Sequence, residues 1–233
     1  MVSYEQILIN FPLEIRKKIL EEIEKNKIEK EIQEIRIRVE KPIILTTASK
    51  DIVLEYKIKQ EEILKILEKL CESSIYAYKN QICEGFLTIK GGHRIGITGT
   101  VVIEEEKIIN IKYVTSLNCR IARQVIGCSN RILKNIIDNE NKTIYNTLIV
   151  SPPGKGKTTM LRDLIRQISN GIPEINFNGK TCGVIDERSE ISASYRGIPQ
   201  NDIGIRTDVI VNVPKSKRNK NDDKKYGPTN NSM

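Results

Sequence analysis

Hydrophobic residues follow two different periods in the first third of the chain. In residues 11–26, and again in residues 60–70, apolar side chains recur every three or four positions, which is the spacing of one helix face. Between them, residues 35–39 alternate apolar and charged side chains, as in a half-buried strand. The helical positions are Ile15, Ile19 and Ile23 in the first segment and Ile63, Ile66, Leu67 and Leu70 in the second. The pattern predicts helix, strand and helix in this order.

Residues 85–123 have a different character, with many β-branched residues and several glycines. Gly91 and Gly92 suit a tight hairpin turn, and the polar residues 104–107 separate two further apolar runs. We therefore expect a small antiparallel sheet here. Residues 129–143 then predict one more helix and a polar connector, so we place a domain boundary near residue 140.

The second domain, residues 141–213, opens with the order strand, loop and helix. Leu148 to Val150 form an apolar run that predicts a strand, and residues 151–156 form a loop rich in glycine and proline. The segment that follows has the spacing of an amphipathic helix and ends at Gly171, a residue type common after helix C-termini. Its apolar positions are Met160, Leu161, Leu164, Ile165 and Ile168. The predicted fold class is α/β, with an N-terminal α+β domain in residues 1–140.

The loop SPPGKGKTT has the residue types that a phosphate-binding loop requires. It matches G-x-x-x-x-G-K-[ST] except that Ser151 replaces the first glycine, and it lies between a predicted strand and a predicted helix. Glycines let backbone N–H groups turn toward an anion, and the helix N-terminus adds positive charge. Lys157 would reach the β- and γ-phosphates of ATP, Thr158 would bind Mg²⁺ and Thr159 would contact the α-phosphate. The candidate nucleotide-binding residues are Ser151, Pro153, Gly154, Lys155, Gly156, Lys157, Thr158 and Thr159.

The second domain is accordingly predicted to be an incomplete parallel-sheet domain of the P-loop NTPase type. A second group of polar residues supports this, because Asp186, Glu187 and Glu190 follow a predicted strand that ends at Ile185. Open α/β sheets place their chemistry at such strand ends. A carboxylate there could activate a water molecule or hold Mg²⁺ through water, and Glu187 is the first catalytic candidate. The alternative is a solvated acidic turn paired with Arg188.

Composition and charge narrow the functional classes. The chain has 233 residues, of which 39% are hydrophobic and 29% charged, enough for a core and a solvated surface. The formal net charge is +8, but residues 214–233 hold six Lys/Arg against two Asp, so this segment alone carries +4. Only 5% of residues are aromatic and none is Trp, which argues against base stacking. A nucleic-acid-binding module using the hairpin of residues 89–96 is therefore the less favoured alternative.

Cellular location and cysteine chemistry follow from what the sequence contains. We find no run of about 18 apolar residues and no signal-peptide pattern at the start, so we expect a cytoplasmic protein. The five cysteines are scattered and His93 is the single histidine. We therefore expect reduced thiols rather than a disulfide framework or a zinc site.

Together, these motifs resemble the stage III sporulation protein AA family of endospore-forming bacteria. The resemblance is carried by residues 91–102, 116–123, 148–171, 183–191 and 196–209. It implies a branch of the secretion ATPases, the P-loop motors of type II and type IV machines, which assemble into rings and use ATP with Mg²⁺. It also implies that the segment from Gly183 to Glu190 is the acidic box of those ATPases, in which Glu187 activates water.

The family's implied role is that of mother-cell ATPase for the channel complex that links the mother cell with the engulfed forespore. Its partners would be the membrane proteins of that complex, and its place the mother-cell cytoplasm beside the forespore-facing membrane. In ring ATPases, arginines of the preceding domain or of a neighbouring subunit often complete the site, and Arg94, Arg120 and Arg123 are the candidates. A regulatory protein that binds ATP without hydrolysing it is the alternative.

The same resemblance predicts a further apolar strand that ends in an acidic pair, the Walker B element, and this sequence does not contain it. Residues 214–233 are polar and basic, so we expect a disordered tail. With A/T-rich codons, a shift of one nucleotide near Lys215 would turn part of this tail into an apolar helix and strand. We therefore hypothesise a frameshift and a truncated motor domain, which an open shifted reading frame would support.

Overall fold

The computed structural model describes residues 4–138 and 140–211. Their contacts divide the chain into two units, the first ending at Arg123 and the second beginning at Gln124. The predicted tail, residues 214–233, and the frameshift hypothesised within it lie outside the described residues. In the described part of the chain, no helix is long and apolar enough to cross a bilayer.

The first unit is built on one sheet of six strands. Its helices are α1 (Glu5–Leu8), α2 (Leu13–Asn26), α3 (Gln60–Leu70) and α4 (Lys79–Cys83), with a 3₁₀ turn at Ile75–Tyr78 before α4. Its strands are β1 (Glu34–Arg38), β2 (Pro42–Thr46), β3 (Asp51–Lys57), β4 (Phe86–Thr88), β5 (Arg94–Glu104) and β6 (Lys107–Arg120). They lie in the order β3-β2-β1-β6-β5-β4, and every neighbouring pair is antiparallel. The predicted α+β class with an antiparallel sheet is confirmed.

One face of this sheet packs against α2 and α3 to form the core of the first unit. The three isoleucines predicted for the inner face of α2 are almost completely buried. The alternation of β1 places Ile35 and Ile37 in the same core. Burying an isoleucine side chain stabilises a fold by roughly 1.5–3 kcal/mol, so these periodic positions provide much of the driving force. Val39 lies beyond β1, where it forms an isolated bridge with Ile58, donates its N–H to the Thr115 carbonyl at 3.0 Å and packs against the core.

Two hairpins connect the last three strands of the sheet, as the glycine-rich and polar turns predict. The turn between β4 and β5 contains Gly91 and Gly92, with φ of 88° and 76°. The turn between β5 and β6 contains Glu105 and Glu106, with φ of 46° and 63°. Both turns use left-handed backbone, which matches the right-handed twist of the flanking strands.

β5 and β6 continue past their neighbours as a two-stranded ribbon. β4 pairs with β5 no further than Gly96, and β1 pairs with β6 no further than Ser116. In the described part of the chain, residues 99–104 and 107–113 therefore pair only with each other. The register shifts beside Gly99, where a Cβ atom would lie 2.8 Å from a backbone oxygen, so this bulge requires glycine.

His93, the single histidine, is completely buried in the first unit. Its Nδ1 accepts a hydrogen bond from the Ala122 N–H at 3.0 Å. The ring proton is therefore on Nε2, which donates to Oε1 of Gln6 at 3.0 Å. Burial lowers the pKa of this imidazole to about 4, because the charged form loses its hydration. The ring is neutral at pH 7 and both of its nitrogens are engaged.

The second unit is arranged around one long helix. Its helices are α5 (Asn130–Ile136) and α6 (Lys157–Asn170), with a 3₁₀ turn at Pro173–Ile175. Its strands are β7 (Ile137–Asp138), β8 (Thr143–Ile144), β9 (Gly171–Ile172), β10 (Phe177–Asn178), β11 (Cys182–Asp186) and β12 (Thr207–Val211). β11 and β12 form a parallel pair, whereas β7 with β8 and β9 with β10 form short antiparallel pairs. The helix after the loop and the strand before Glu187 form where the sequence predicts them.

α5 and α6 share the hydrophobic core of the second unit. Leu133 and Ile136 of α5 lie in one buried cluster with Leu164 of α6. By its contacts α5 therefore belongs with the second unit, although it precedes the boundary that we place near residue 140. The predicted domain limits stay a prediction.

The strand predicted at Leu148 to Val150 does not form. Residues 145–152 have no regular secondary structure, and Leu148 and Val150 are 86% and 80% exposed. A strand forms only where its N–H and C=O groups pair with a neighbour, and among the described residues β11 pairs with β12 instead. This prediction was wrong, and β12 was missed. The signal for β12 is the β-branched run of Thr207–Val211.

We predict that the first unit loses stability when the solution is acidified from pH 6.5 to pH 4. In this window the unfolded chain binds a proton at His93 and the folded chain does not. The free energy of unfolding therefore falls by about 1.4 kcal/mol for each pH unit. The single histidine gives one Hε1 resonance in proton NMR, and in the folded protein it should not titrate between about pH 8 and pH 5.

A His93→Gln variant is the control for this prediction. Glutamine retains a side-chain amide that can bond Gln6 but has no proton to gain in this range. Its stability should therefore depend less steeply on pH between about 6.5 and 5, where few carboxylates titrate. A folded-state midpoint near pH 6.5 for His93 would contradict the burial argument.

Candidate functional site

Residues 151–156 form an open loop that leads directly into α6. Gly154 and Gly156 have φ of 73° and 81°, in the left-handed region that favours glycine, and both face open space. α6 starts at Lys157. The N–H groups of its first turn have no acceptors within the helix, and the helix dipole adds positive charge at this end. The backbone therefore has the form of an anion-binding loop at a helix N-terminus.

The side chain of Lys157 folds back over this loop. Its Nζ donates to the carbonyl oxygen of Ser151 at 2.6 Å and to that of Pro152 at 3.0 Å. The same Nζ lies 3.4 Å from Oγ of Ser151. These contacts hold a positive charge at the centre of the loop. A phosphate oxygen is a stronger, charge-assisted partner for this ammonium than a neutral carbonyl, so replacement of these bonds by a phosphate is chemically favourable.

A groove of about 420 Å³ lies beside the loop. Its walls are Ile132 and Ile136 of α5, residues 147–151, and the side chains of Lys155 and Lys157. Small-molecule sites have volumes of roughly 300–1,000 Å³ and combine apolar walls with a few polar groups. The groove therefore has the size and lining of a small-ligand site, with two lysines among its lining residues.

Thr158 and Thr159 occupy the first turn of α6 and are half-buried. Their hydroxyls are hard oxygen donors of the kind that Mg²⁺ accepts. The backbone carbonyl of Thr159 accepts a hydrogen bond from the Cys128 thiol, with an Sγ–O distance of 3.5 Å. Pro153 is exposed on the loop. Backbone N–H groups, an ammonium and threonine hydroxyls together are a donor set that fits a nucleoside polyphosphate with Mg²⁺.

Asp186, at the end of β11, is buried and uses both carboxylate oxygens to hold the turn that follows. Oδ1 accepts the Glu190 N–H at 2.9 Å, and Oδ2 accepts the Ile191 N–H at 3.0 Å. Oδ2 also accepts the N–H and the hydroxyl of Ser192, both at 2.8 Å. Hydrogen bonds to a charged acceptor are the strong ones, so Asp186 fixes this turn. Its predicted catalytic role stays a prediction.

Glu187 is half-buried and Glu190 is exposed on the same turn. Arg162 of α6 anchors this turn, because its Nε donates to the Ile191 carbonyl at 2.8 Å and its Nη2 to the Glu190 carbonyl at 2.6 Å. Burial lowers the pKa of Arg162, although the nearby Asp186 raises it. The acidic turn is thus attached to the helix that begins at the phosphate loop. The catalytic roles of Glu187 and Glu190 stay predictions.

Sequence reasoning misses Arg162 and Asp163, two neighbouring charged residues that bind loops of the second unit. Asp163 is 1% exposed, and its carboxylate binds backbone groups of Gly127 and Ser129. The sequence feature that could have pointed to Asp163 is its position beside the apolar face of α6, where an unpaired charge is costly. A carboxylate at such a position predicts a partner without identifying it.

The three arginines that the resemblance nominates all lie in the first unit. Arg94 and Arg120 stand directly opposite each other on β5 and β6. The Arg94 guanidinium lies 3.8 Å from the centroid of the Phe86 ring, and Arg120 forms an ion pair with Glu34 at 3.5 Å. Arg123 donates to a backbone carbonyl of the same unit. Their part in a nucleotide site stays a prediction.

Comparison with known proteins gives a family for this chain. A family model for sporulation stage III, protein AA, matches residues 2–219. The chain belongs to this family. The resemblance noted in the motifs is therefore confirmed.

A curated relative within the family is stage III sporulation protein AA of Bacillus subtilis (strain 168). It is 39% identical over 187 residues, and the match covers 80% of this chain and 59% of the relative. The chain thus spans about three fifths of the length of the curated relative it matches.

Two solved ATPase structures are similar to this family member over about half of their own length. One is the Legionella pneumophila ATPase DotB, with a TM-score of 0.45 and 14% identity, covering 83% of this chain and 50% of DotB. The other is the pilus retraction motor PilT with bound ADP, with a TM-score of 0.47 and 16% identity, covering 83% of this chain and 51% of PilT.

We predict that Asp186→Ala lowers the free energy of unfolding by about 2–4 kcal/mol. The substitution removes a buried carboxylate and leaves the N–H groups of residues 190–192 without their acceptor, and of these groups the Ser192 N–H is buried. Asp186→Asn, which keeps an acceptor oxygen, should cost less. Urea denaturation followed by circular dichroism measures both changes.

Glu190→Gln is the matched control, since it removes an exposed carboxylate from the same turn. It should change the free energy of unfolding by no more than about 0.5 kcal/mol. A wild-type urea midpoint for Asp186→Ala would contradict the role of Asp186 in holding the turn.

Proposed function

We propose that the chain binds ATP with Mg²⁺ at residues 151–159, as part of a motor-type ATPase of the sporulation channel complex between mother cell and forespore. The observation that carries this proposal is the open loop at the start of α6, with two left-handed glycines and the Lys157 ammonium at its centre. These groups provide positive charge and N–H donors for a polyphosphate. Membership of the sporulation stage III protein AA family supports the same function.

Each part of the loop has its own role in this proposal. Gly154 and Gly156 allow the backbone N–H groups to turn toward the phosphates. Lys157 exchanges its bonds to the loop carbonyls for bonds to the β- and γ-phosphates. Thr158 holds Mg²⁺ and Thr159 bonds on the α-phosphate side; Mg²⁺, when bound, neutralises charge on the phosphate oxygens. The remaining candidate residues of the loop are Ser151, Pro153 and Lys155.

Glu187 is the residue we propose for activating water. β11 brings it to the carboxyl end of the parallel strand pair, and Arg162 attaches its turn to α6. A positioned, half-buried carboxylate can accept a proton from an attacking water molecule. Asp186 has both oxygens engaged by the turn, and Glu190 is exposed, which favours Glu187 over these two candidates.

Nucleotide binding without hydrolysis is the second candidate. It is favoured by the exposure of Leu148 and Val150, which precede the loop and pair with no strand of the described part of the chain. Hydrolysis needs the catalytic carboxylate to be held within a fraction of an ångström of the productive geometry. A loop whose preceding segment lacks sheet pairing provides less of this support than a strand would.

Assembly and location are the parts of the proposal that rest on family membership. We propose that the full-length protein forms a homo-oligomeric ring in the mother-cell cytoplasm and contacts membrane proteins of the channel complex. Arg94, Arg120 or Arg123 of one copy would then contact the nucleotide of a neighbouring copy. The exposure of Arg94 and Arg120 is compatible with such a contact.

Lys157→Ala tests the proposed site. We expect it to weaken the binding of a fluorescent ATP analogue with Mg²⁺ by about 30-fold or more, equivalent to about 2 kcal/mol, because the phosphates lose their central ammonium. Lys134→Ala is the control, since it removes an exposed lysine of α5 in the same unit that belongs neither to the loop nor to the groove lining, and it should change Kd by less than about threefold. Phosphate release is followed in the same samples.

The outcomes separate the two candidate functions. Binding that depends on Lys157 without phosphate release from the wild type supports the non-hydrolysing candidate, whereas release that depends on Lys157 supports the motor. Absence of binding by the wild type, or equal losses in both lysine variants, would contradict the proposed site.

A further inference from the structure

Asp163 of α6 is a buried carboxylate that the proposed nucleotide site does not use. Its Oδ2 accepts the Ser129 N–H at 2.9 Å and the Ser129 hydroxyl at 2.7 Å. Its Oδ1 accepts the Gly127 N–H at 3.1 Å, and Arg166, one turn along the helix, donates to the same oxygen at 2.7 Å. The carboxylate is therefore a fixed attachment between α6 and two backbone groups of another segment.

This carboxylate stays charged although it is buried. Burial alone would raise its pKa, but hydrogen bonds from Ser129, Arg166 and Gly127 lower the pKa well below its usual range. Breaking the attachment would remove three of the hydrogen bonds that this buried charge accepts and leave it only with its α6 partners Arg166 and Gln167, which is unfavourable. How firmly the Gly127 and Ser129 amides are held therefore depends on the placement of the Asp163 carboxylate on α6.

The attached segment is residues 124–129, here called the linker, which directly follows the first unit. It contains no helix or strand, so side-chain contacts determine its position. At its start, Gln124 exchanges two hydrogen bonds with the backbone of Asp202, at 2.6 and 2.9 Å. At its end, the Cys128 thiol donates to the Thr159 carbonyl in addition to the contacts with Asp163.

α6 thus carries the phosphate loop at its first residue and the linker on its second turn. With a rise of 1.5 Å per residue, Asp163 lies about 9 Å along the helix axis from Lys157. Lys157 is bonded to the loop carbonyls, and a phosphate that binds here must replace those bonds and engage the first N–H groups of α6. A helix is a rigid element, so a displacement at its start is passed on to groups attached further along.

We propose that Asp163 is a positioning residue that couples nucleotide occupancy of the phosphate loop to the linker. The inference rests on the proposed nucleotide binding and adds a second, distant response to it. It requires that bound nucleotide changes how firmly the Gly127 and Ser129 amides are held. It also requires that this change depends on the Asp163 carboxylate, which is the group that joins both amides to α6.

Amide hydrogen exchange of the full chain, with and without ATP and Mg²⁺, tests the proposal. In the wild type, nucleotide should change the exchange rates of the Gly127 and Ser129 amides by about threefold or more. Asp163→Asn should remove this nucleotide-dependent change while Kd for a fluorescent ATP analogue stays within about threefold. Glu174→Gln, an exposed carboxylate of the same unit, should leave both measurements unchanged.

A second variant keeps the proposal testable if Asp163→Asn does not fold. Ser129→Ala removes the hydroxyl donor but leaves the carboxylate and its bonds to the two amides. It should reduce the nucleotide-dependent change without removing it. An unreduced change in Ser129→Ala would contradict coupling through these hydrogen bonds.

The remaining outcomes distinguish this inference from the proposed function. A wild type that binds nucleotide without any change at the two amides overturns the inference alone, because Asp163 would then be an attachment only. A change that persists in Asp163→Asn overturns it as well. So does a loss of nucleotide affinity beyond about tenfold in that variant, because the residue would then act on the phosphate loop itself. Absence of nucleotide binding by the wild type overturns the proposed function and this inference together.

Discussion

Two neighbouring charged side chains of α6, one a hydrogen-bond donor and the other an acceptor, hold the irregular segments of the second unit. Arg162 binds the carbonyls of Glu190 and Ile191, and Asp163 binds the N–H groups of Gly127 and Ser129. Backbone groups that leave water need partners, and charged partners form the stronger bonds. One helix thereby orders two loops that lack regular pairing, and it does so next to the phosphate loop at its own start.

Much of the fold could be predicted from the sequence because it depends on local periodicity. The isoleucines of α2, the alternation of Ile35 and Ile37, and the apolar spacing of α3 each mark one buried face. The spacing of α6 predicts the helix itself, but of its five apolar positions only Leu164 is buried and Leu161 is exposed. Turn residues add the hairpins, because Gly91 and Gly92 adopt backbone conformations that other residues avoid. The loop at Gly154 and Gly156 is predictable for the same reason, since its geometry depends on the residues within it.

The elements that could not be predicted depend on partners far away in the chain. Leu148 and Val150 have the composition of a strand, but a strand also needs a neighbour, and β11 pairs with β12. Arg162 and its carbonyl partners are 28 and 29 residues apart, and Asp163 and the linker amides are 34 and 36 apart. The sequence near α6 shows that its charged side chains need hydrogen-bond partners but does not show which segment provides them.

Among the residues that the structure describes, the ribbon formed by the far ends of β5 and β6 has two open edges, and open edges can recruit strands of other molecules. It also exposes Val101 and Ile103, which are 45% and 60% accessible. Three consecutive glutamates at its tip, residues 104–106, and the bulge at Gly99 oppose such recruitment by repulsion and by bending. Salt screens this repulsion beyond about 8 Å at physiological ionic strength. Because of this ribbon, we expect added salt to lower the solubility of the protein before it changes the stability of the fold.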